Sequence, residues 1–220
     1  MTTFVSDPRL VLVTDRHLAK EPLPELIKTV TSAGVGQVIL REKELSPEEF
    51  LTLAREVQLA LGKKARLFLN GRQSLEAAVY SGACGCHLPW DEYLGCNGLK
   101  RHKLKVGVSV HSFEQALEVE REGADYVLFG PIFPTTCKPG HPGTGLENLA
   151  DICQALSIPV WAVGGLTPNN LRSVMETGAS AVCLRSALML ASRPGDLVKA
   201  SLEALKGFPL EATKPLGAVH

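Results

Sequence analysis

The stretch "KVGVSVHSFEQALE" places His111 where an alternating apolar run gives way to a helical pattern, two residues after Ser109. An imidazole titrates near ~6.5 when unperturbed, so it can both accept and donate a proton near neutrality. His111 is therefore a candidate acid/base; its bland alternative is a junction residue that only supports the turn. Further along, "VGGLTPNN" sets Gly164 and Gly165 before a helix start, and "CLRSAL" sets Arg185 and Ser186 at the next. Bare backbone N–H groups at such positions suit a phosphomonoester, although two glycines also serve a tight turn. The segment "GPIFPTTCKPGHPGTG" carries four prolines and four glycines in 16 residues, with Thr135, Thr136 and Lys138 among them. It reads either as a flap able to close over an anion or as a long solvated connection. Arg41, Lys43 and Asn70 add polar groups after other strand-like runs, and Glu42 is expected to pair with a neighbouring lysine or arginine. Cys84, Cys86 and His87 look like a metal cluster. They alternate along a strand-like run without a second ligand pair at finger-like spacing, so they read as buried strand residues. The direction in which His87 points stays open.

The elements that must hold these residues repeat one grammar. "SAGVGQVILRE", "YSGACGCHLP", "REGADYVLFG" and "ETGASAVCLR" each read as a helix end, a glycine suited to a left-handed cap (Gly34, Gly82, Gly123, Gly178), and a β-rich run. Adding "LVLVTD", "RLFLN", "LKVGVSV" and "IPVWAVGG" gives eight strands near residues 10–14, 36–41, 66–70, 84–88, 105–109, 126–130, 159–164 and 181–184. Helical patterns begin at Ser46-Pro47-Glu48-Glu49, at Ser112 and at Thr167-Pro168. Strict βα alternation in about 200 residues predicts an α/β fold, a (β/α)8 TIM barrel, with nearly continuous apolar strands covered by helices. An open doubly wound sheet shares the local grammar, but no glycine fingerprint supports it. In a barrel the site lies at the C-terminal strand ends, where the polar residues named above collect.

Composition narrows the partners. The 220 residues are 45% hydrophobic, and 23 Lys plus Arg balance 23 Asp plus Glu. One domain is expected over residues 1–220, with a mobile tail from about 207, where "GFPLEATKPLGAVH" is rich in proline and glycine. No basic stripe or global field would recruit nucleic acid, and no apolar run approaches the ~18 residues of a membrane span. A small-molecule partner and a cytoplasmic location are expected. The six cysteines are scattered through a chain that can build a core without staples, so they read as free thiols.

Several of these motifs carry a resemblance. "LVTDR", "REK", the Asn after the third strand, "GCHLPWDE", "GVSVHS", "ADYVLFGPIFPT" and "VWAVGGLTPNN" occur in the order and spacing of the thiamine phosphate synthase superfamily, over about residues 9–190. The resemblance implies one of two activities on one barrel. The synthase joins a pyrimidine diphosphate to a thiazole phosphate with magnesium's help and releases pyrophosphate. The related thiazole tautomerase isomerises a carboxylated dihydrothiazole phosphate to the aromatic thiazole without metal. In the synthase an aspartate follows the Asn and helps hold magnesium; here that position is Gly71, and glycine has no oxygen to offer a hard cation. The second magnesium carboxylate matches Glu92, with Asp91 beside it. The flap's Thr-x-Thr-Lys pattern is here Thr135-Thr136-Cys137-Lys138, and "SVHS" resembles the tautomerase branch.

The resemblance thus implies an isomerase with His111 as its acid/base and no cofactor. Gly164, Gly165 and Ser186 would hold the substrate phosphate, and Arg41, Lys43, Asn70, Ser109, Thr135 and Lys138 match ligand-contacting positions. A phosphorylated thiazole is the implied substrate and a homodimer a possible assembly. Retention of "REK", which serves the diphosphate in the synthase, argues for the alternative, a magnesium-dependent synthase. A third reading is a non-catalytic regulator that binds thiazole phosphate.

Overall fold

A glycine that leaves a helix with positive φ turns the chain straight back into the sheet, and this happens at each joint named above. Gly34, Gly82, Gly123 and Gly178 have φ of 126°, 74°, 87° and 92°, a region that costs glycine nothing. The computed structural model describes residues 6–71, 74–96, 104–135, 140 and 142–210. Among them the strands are β1 (Asp7–Val13), β2 (Val35–Leu40), β3 (Arg66–Asn70), β4 (Gly85–Pro89), β5 (Lys105–Val110), β6 (Tyr126–Phe129), β7 (Val160–Val163) and β8 (Ala181–Leu184). Each pairs in parallel with the next, and β8 closes on β1, giving a (β/α)8 TIM barrel. The helices between them are α1 (Leu23–Ala33), α2 (Pro47–Leu61), α3 (Ser74–Ser81), α4 (Trp90–Leu94), α5 (Phe113–Arg121), α6 (Gly145–Ala155) and α7 (Leu171–Glu176). The short α8 (Ser186–Met189) and then α9 (Pro194–Ala204) follow β8. No helix among the described residues is long and apolar enough to cross a membrane.

Two apolar clusters explain why the strands read as continuous hydrophobic runs. One face of each strand packs against the helices through residues such as Leu10, Val38, Leu69 and Val108. The other fills the barrel with Val11, Val13, Ile39, Phe68, Tyr126, Leu128, Trp161, Ala181 and Cys183. Three interior aromatics interlock: Tyr126 stacks on Trp161 with centroids 3.8 Å apart, and Phe68 meets both edge-on. Tyr126 fits because its register partner on β5 is Gly107. A Cβ there would lie 1.9 Å from the tyrosine Cζ.

The helix starts follow the predicted caps with two differences. Ser46 and Glu49 form the full reciprocal capping box on α2. Ser112 caps α5 by accepting from the Gln115 N–H, but the Gln115 side chain reaches back one residue further, to the N–H of His111. The helix expected at Thr167-Pro168 begins instead at Leu171. Asn170 stands before it and accepts the Thr167 N–H on its side-chain oxygen, so residues 167–170 form a separate turn. Phe208, inside the expected tail, lies under Arg172, and its carbonyl accepts from the Arg9 guanidinium. Residues 211–220 lie outside the described residues.

Candidate active site

The barrel's interior core stops short of the C-terminal strand ends and leaves a cavity of about 240 Å³ there. Val13, Ile39, Leu128, Val163 and Cys183 form its apolar floor. Burial pushes the Cys183 thiol well above its ordinary range, which keeps it protonated and unreactive. Around the floor the structure brings together Arg41, Asn70, Ser109, His111, Thr135, Gly164, Gly165 and Ser186, with Arg185 beside them. Lys43 is exposed and is not on the cavity wall. Lys138 lies outside the described residues.

The placement of Lys43 follows from its neighbour. Glu42 turns inward and is 2% exposed. Its carboxylate accepts the Thr14 hydroxyl at 2.6 Å and the backbone N–H of Arg16 at 3.0 and 3.2 Å. Thr14 Oγ1 in turn accepts the Arg41 N–H at 2.9 Å. The expected pairing of Glu42 with a basic side chain is therefore corrected: its partners are a hydroxyl and a main-chain amide, which fix the backbone that carries Arg41. Burial raises the Glu42 pKa, opposed by these hydrogen bonds.

His111 stands at the cavity mouth, exposed, and two hydrogen bonds help to hold it. Its backbone N–H donates to Gln115 Oε1 at 2.8 Å, and its Nδ1 lies 2.6 Å from the Gly130 carbonyl oxygen. A carbonyl only accepts, so Nδ1 carries the hydrogen and the neutral ring has its lone pair on Nε2. The Gly130 carbonyl, just after β6, thus sets the tautomer of the candidate base, and the Gln115 side chain holds the backbone that carries it.

His87, whose direction the sequence left open, faces inward and lies on the cavity wall. Its Nδ1 is 3.0 Å from Tyr126 Oη and its Nε2 is 2.8 Å from Ser109 Oγ. Burial lowers its pKa to about 3, so it is neutral at physiological pH. Periodicity along β4 could not find this partner, because Tyr126 arrives from β6 across the gap left by Gly107.

The paired glycines have a packing reason as well as a place on the wall. Gly164 and Gly165 have φ of 99° and 67°. A Cβ on Gly164 would sit 2.5 Å from Pro131 Cα, and one on Gly165 would sit 2.7 Å from Phe133 Cβ. The loop after β6 lies directly on them, with the Phe133 N–H donating to the Gly164 carbonyl. Ser186 opens α8, a helix of four residues.

Magnesium, implied by the synthase alternative, finds a poor donor set. Gly71 has φ of 101° and open space around it, so the missing donor reflects the residue type and its backbone and not crowding. Asp91 and Glu92 lie on α4, and neither is on the cavity wall. No group of three or more His, Cys, Asp or Glu that could hold a metal occurs among the described residues. Among the described residues the wall offers hydroxyls, an amide, imidazoles and guanidinium groups but no carboxylate, whereas magnesium is usually held through one or two carboxylates and substrate phosphates.

A parallel barrel with an apolar floor, cationic and hydroxyl groups on the wall and a tautomer-fixed histidine at the mouth defines a class: a TIM-barrel protein whose strand-end pocket suits a small anionic molecule. The profile of the thiamine monophosphate synthase family matches residues 10–188, and the chain belongs to that family. It is 39% identical over 193 residues to a thiamine-phosphate synthase of Syntrophomonas wolfei, covering 85% of this chain and 91% of the relative. It is 33% identical over 207 residues to the thiamine-phosphate synthase of Clostridium tetani, covering 92% and 96%. The solved thiamine phosphate pyrophosphorylase from Pyrococcus furiosus superposes with a TM-score of 0.78 at 27% identity, covering 90% of this chain and 96% of that one.

Proposed function

We propose that this chain is an enzyme of thiamine biosynthesis and, within that role, an isomerase that aromatises a carboxylated dihydrothiazole ethyl phosphate. The observation that carries the reading is His111, held with Nδ1–H on a carbonyl at the mouth of a cavity whose wall, among the described residues, has no carboxylate. Nε2 takes the proton from the ring carbon that bears the carboxylate. The electron pair left behind enters the ring, the exocyclic double bond shifts, and the exocyclic carbon receives a proton from the imidazolium. Atoms and electrons balance without an oxidant, and aromaticity drives the reaction forward. Arg41 and Arg185 supply positive charge for carboxylate and phosphate, and Asn70, Ser109, Thr135 and Ser186 supply hydrogen bonds.

The test is formation of the aromatic thiazole carboxylate phosphate with EDTA present, corrected for the spontaneous rate. Wild type accelerates it, and His111→Asn loses about 10²–10⁴-fold with its melting temperature kept. A variant with near wild-type turnover refutes the role of His111.

The names of the relatives support a second reading, thiamine-phosphate synthase, as does Arg41 of the "REK" trio. It predicts magnesium-dependent pyrophosphate release from the pyrimidine diphosphate and thiazole phosphate. Release at a rate above that of the EDTA-treated protein, with no isomerase activity, selects it.

A further inference from the structure

We propose that the buried pair Tyr126 and His87 sets Ser109 as a hydrogen-bond donor into the cavity, aimed at the carboxylate of the reacting substrate. The carboxylate half of this proposal rests on the isomerase reading; the polarity of the chain of hydrogen bonds does not.

The polarity follows from satisfying each buried hydrogen. Tyr126 is fully buried, and among the described residues the partner of its hydroxyl is His87 Nδ1. If Nδ1 carried the hydrogen, the phenolic proton would have no acceptor, and a buried donor without a partner is costly. The phenol therefore donates to Nδ1. A neutral imidazole then carries its hydrogen on Nε2, which lies 2.8 Å from Ser109 Oγ. Ser109 accepts that hydrogen, so its own O–H is left to donate elsewhere. Ser109 lies on the cavity wall, with His87 its hydrogen-bond partner among the described residues.

The same conclusion holds over a wide pH range because neither buried ring ionises. Burial lowers His87 to about 3 and keeps the Tyr126 phenol protonated. The geometry is built into the barrel. His87, Gly107 and Tyr126 are register partners on three adjacent strands, and the absent side chain at 107 lets the two rings meet. A histidine and a tyrosine are needed together: one alone would leave the direction of the relay undetermined.

Ser109 on β5 and His111 just beyond its end both line the cavity, two residues and roughly 6–7 Å apart along the chain. In the proposed arrangement a ring carbon held at His111 Nε2 has its carboxylate at Ser109, on the same cavity wall. Removing the proton from that carbon pushes negative charge onto the carboxylate oxygens, and a donor fixed there in advance stabilises the charge as it develops. His87 and Tyr126 are positioning residues in this scheme.

The experiment combines a spectrum with a mutant cycle. Long-range ¹H–¹⁵N correlation on the labelled full chain, with His87→Gln to assign the signals, reads the tautomer of His87 directly. The expected spectrum shows Nε2 protonated and Nδ1 bare, unchanged from neutral to mildly acidic buffer; Nδ1 protonated overturns the proposal. Isomerase turnover is then expected to fall about 10²-fold in Ser109→Ala and about five- to tenfold in Tyr126→Phe. In the double variant Tyr126→Phe should add no further loss, because its effect runs through the Ser109 hydroxyl. Equal losses from Tyr126→Phe with and without Ser109 would mean that the phenol only supports packing, and would overturn the relay. If the expected tautomer is present but wild type shows no isomerase activity, the assignment to the carboxylate falls together with the isomerase reading, while the donor polarity of Ser109 stands.

Discussion

Lowering the pH should destabilise this protein through one residue, His87, well before its carboxylates protonate in bulk. A group whose folded pKa lies below its unfolded value binds more protons when unfolded, so acid favours unfolding. For His87 the two values are about 3 in the barrel and 6.5 in the open chain. The stability it contributes is complete above 6.5 and is lost progressively as the pH falls toward 3. One such proton changes stability by about 1.4 kcal/mol per pH unit inside the window. Integrated from about pH 7 to about pH 5, the loss is about 2 kcal/mol. Glu42 acts with opposite sign: its raised pKa means that ionisation costs stability as the pH rises above its ordinary 4.5. The assay therefore compares urea unfolding of wild type with His87→Gln at both pH values, so that Glu42 and every other group cancel. The variant is expected to be less stable at neutrality, since two buried hydrogen bonds change, yet to lose about 2 kcal/mol less on acidification. A variant that loses as much as wild type would refute the buried, neutral state of His87.

Three further outcomes follow from the same contacts. Gly107→Ala drives a methyl into the Tyr126 ring and should cost about 1–3 kcal/mol, read as a shift in the urea midpoint at constant slope; an unchanged midpoint would mean that the aromatic stack has room to move. Glu42→Ala leaves the Thr14 hydroxyl and the Arg16 amide without their acceptor, so it should cost about 1–3 kcal/mol and raise KM for the phosphorylated substrate through Arg41; unchanged stability and KM would show that the loop holds itself. Gly71→Asp supplies the missing carboxylate in open space but at φ of 101°. It is expected to lower the melting temperature, with a cost of about 1–2 kcal/mol for the strained backbone, and to leave isomerase turnover in EDTA intact; a rise in magnesium-dependent pyrophosphate release would instead favour the synthase reading.

The alternation of strand and helix was legible in the residues alone, because each joint carries its own local reason. Glycines with positive φ end helices, serine caps begin them, and strands buried on both faces must be apolar along their length. Barrel closure and the collection of Arg41, Asn70, Ser109, His111, Thr135, Gly164, Gly165 and Ser186 around one cavity follow from that order, since parallel βα units put the ends of all strands on one face. Side-chain contacts, between distant elements and in one case within a single turn, were not legible. Glu42 turns toward Thr14 and leaves Lys43 outside; Gly164 and Gly165 are required by the loop after β6, which lies against them; and the start of α7 moves to Leu171 because Asn170 closes a turn first. The states of the two histidines were set by packing across the closed barrel. Gly130 presents a carbonyl to His111 from another strand's loop, and Tyr126 reaches His87 across the space that Gly107 leaves. Tautomer and pKa depend on which atoms face a ring and whether water reaches it, and those neighbours are brought together by the closed barrel and not by their spacing along the chain.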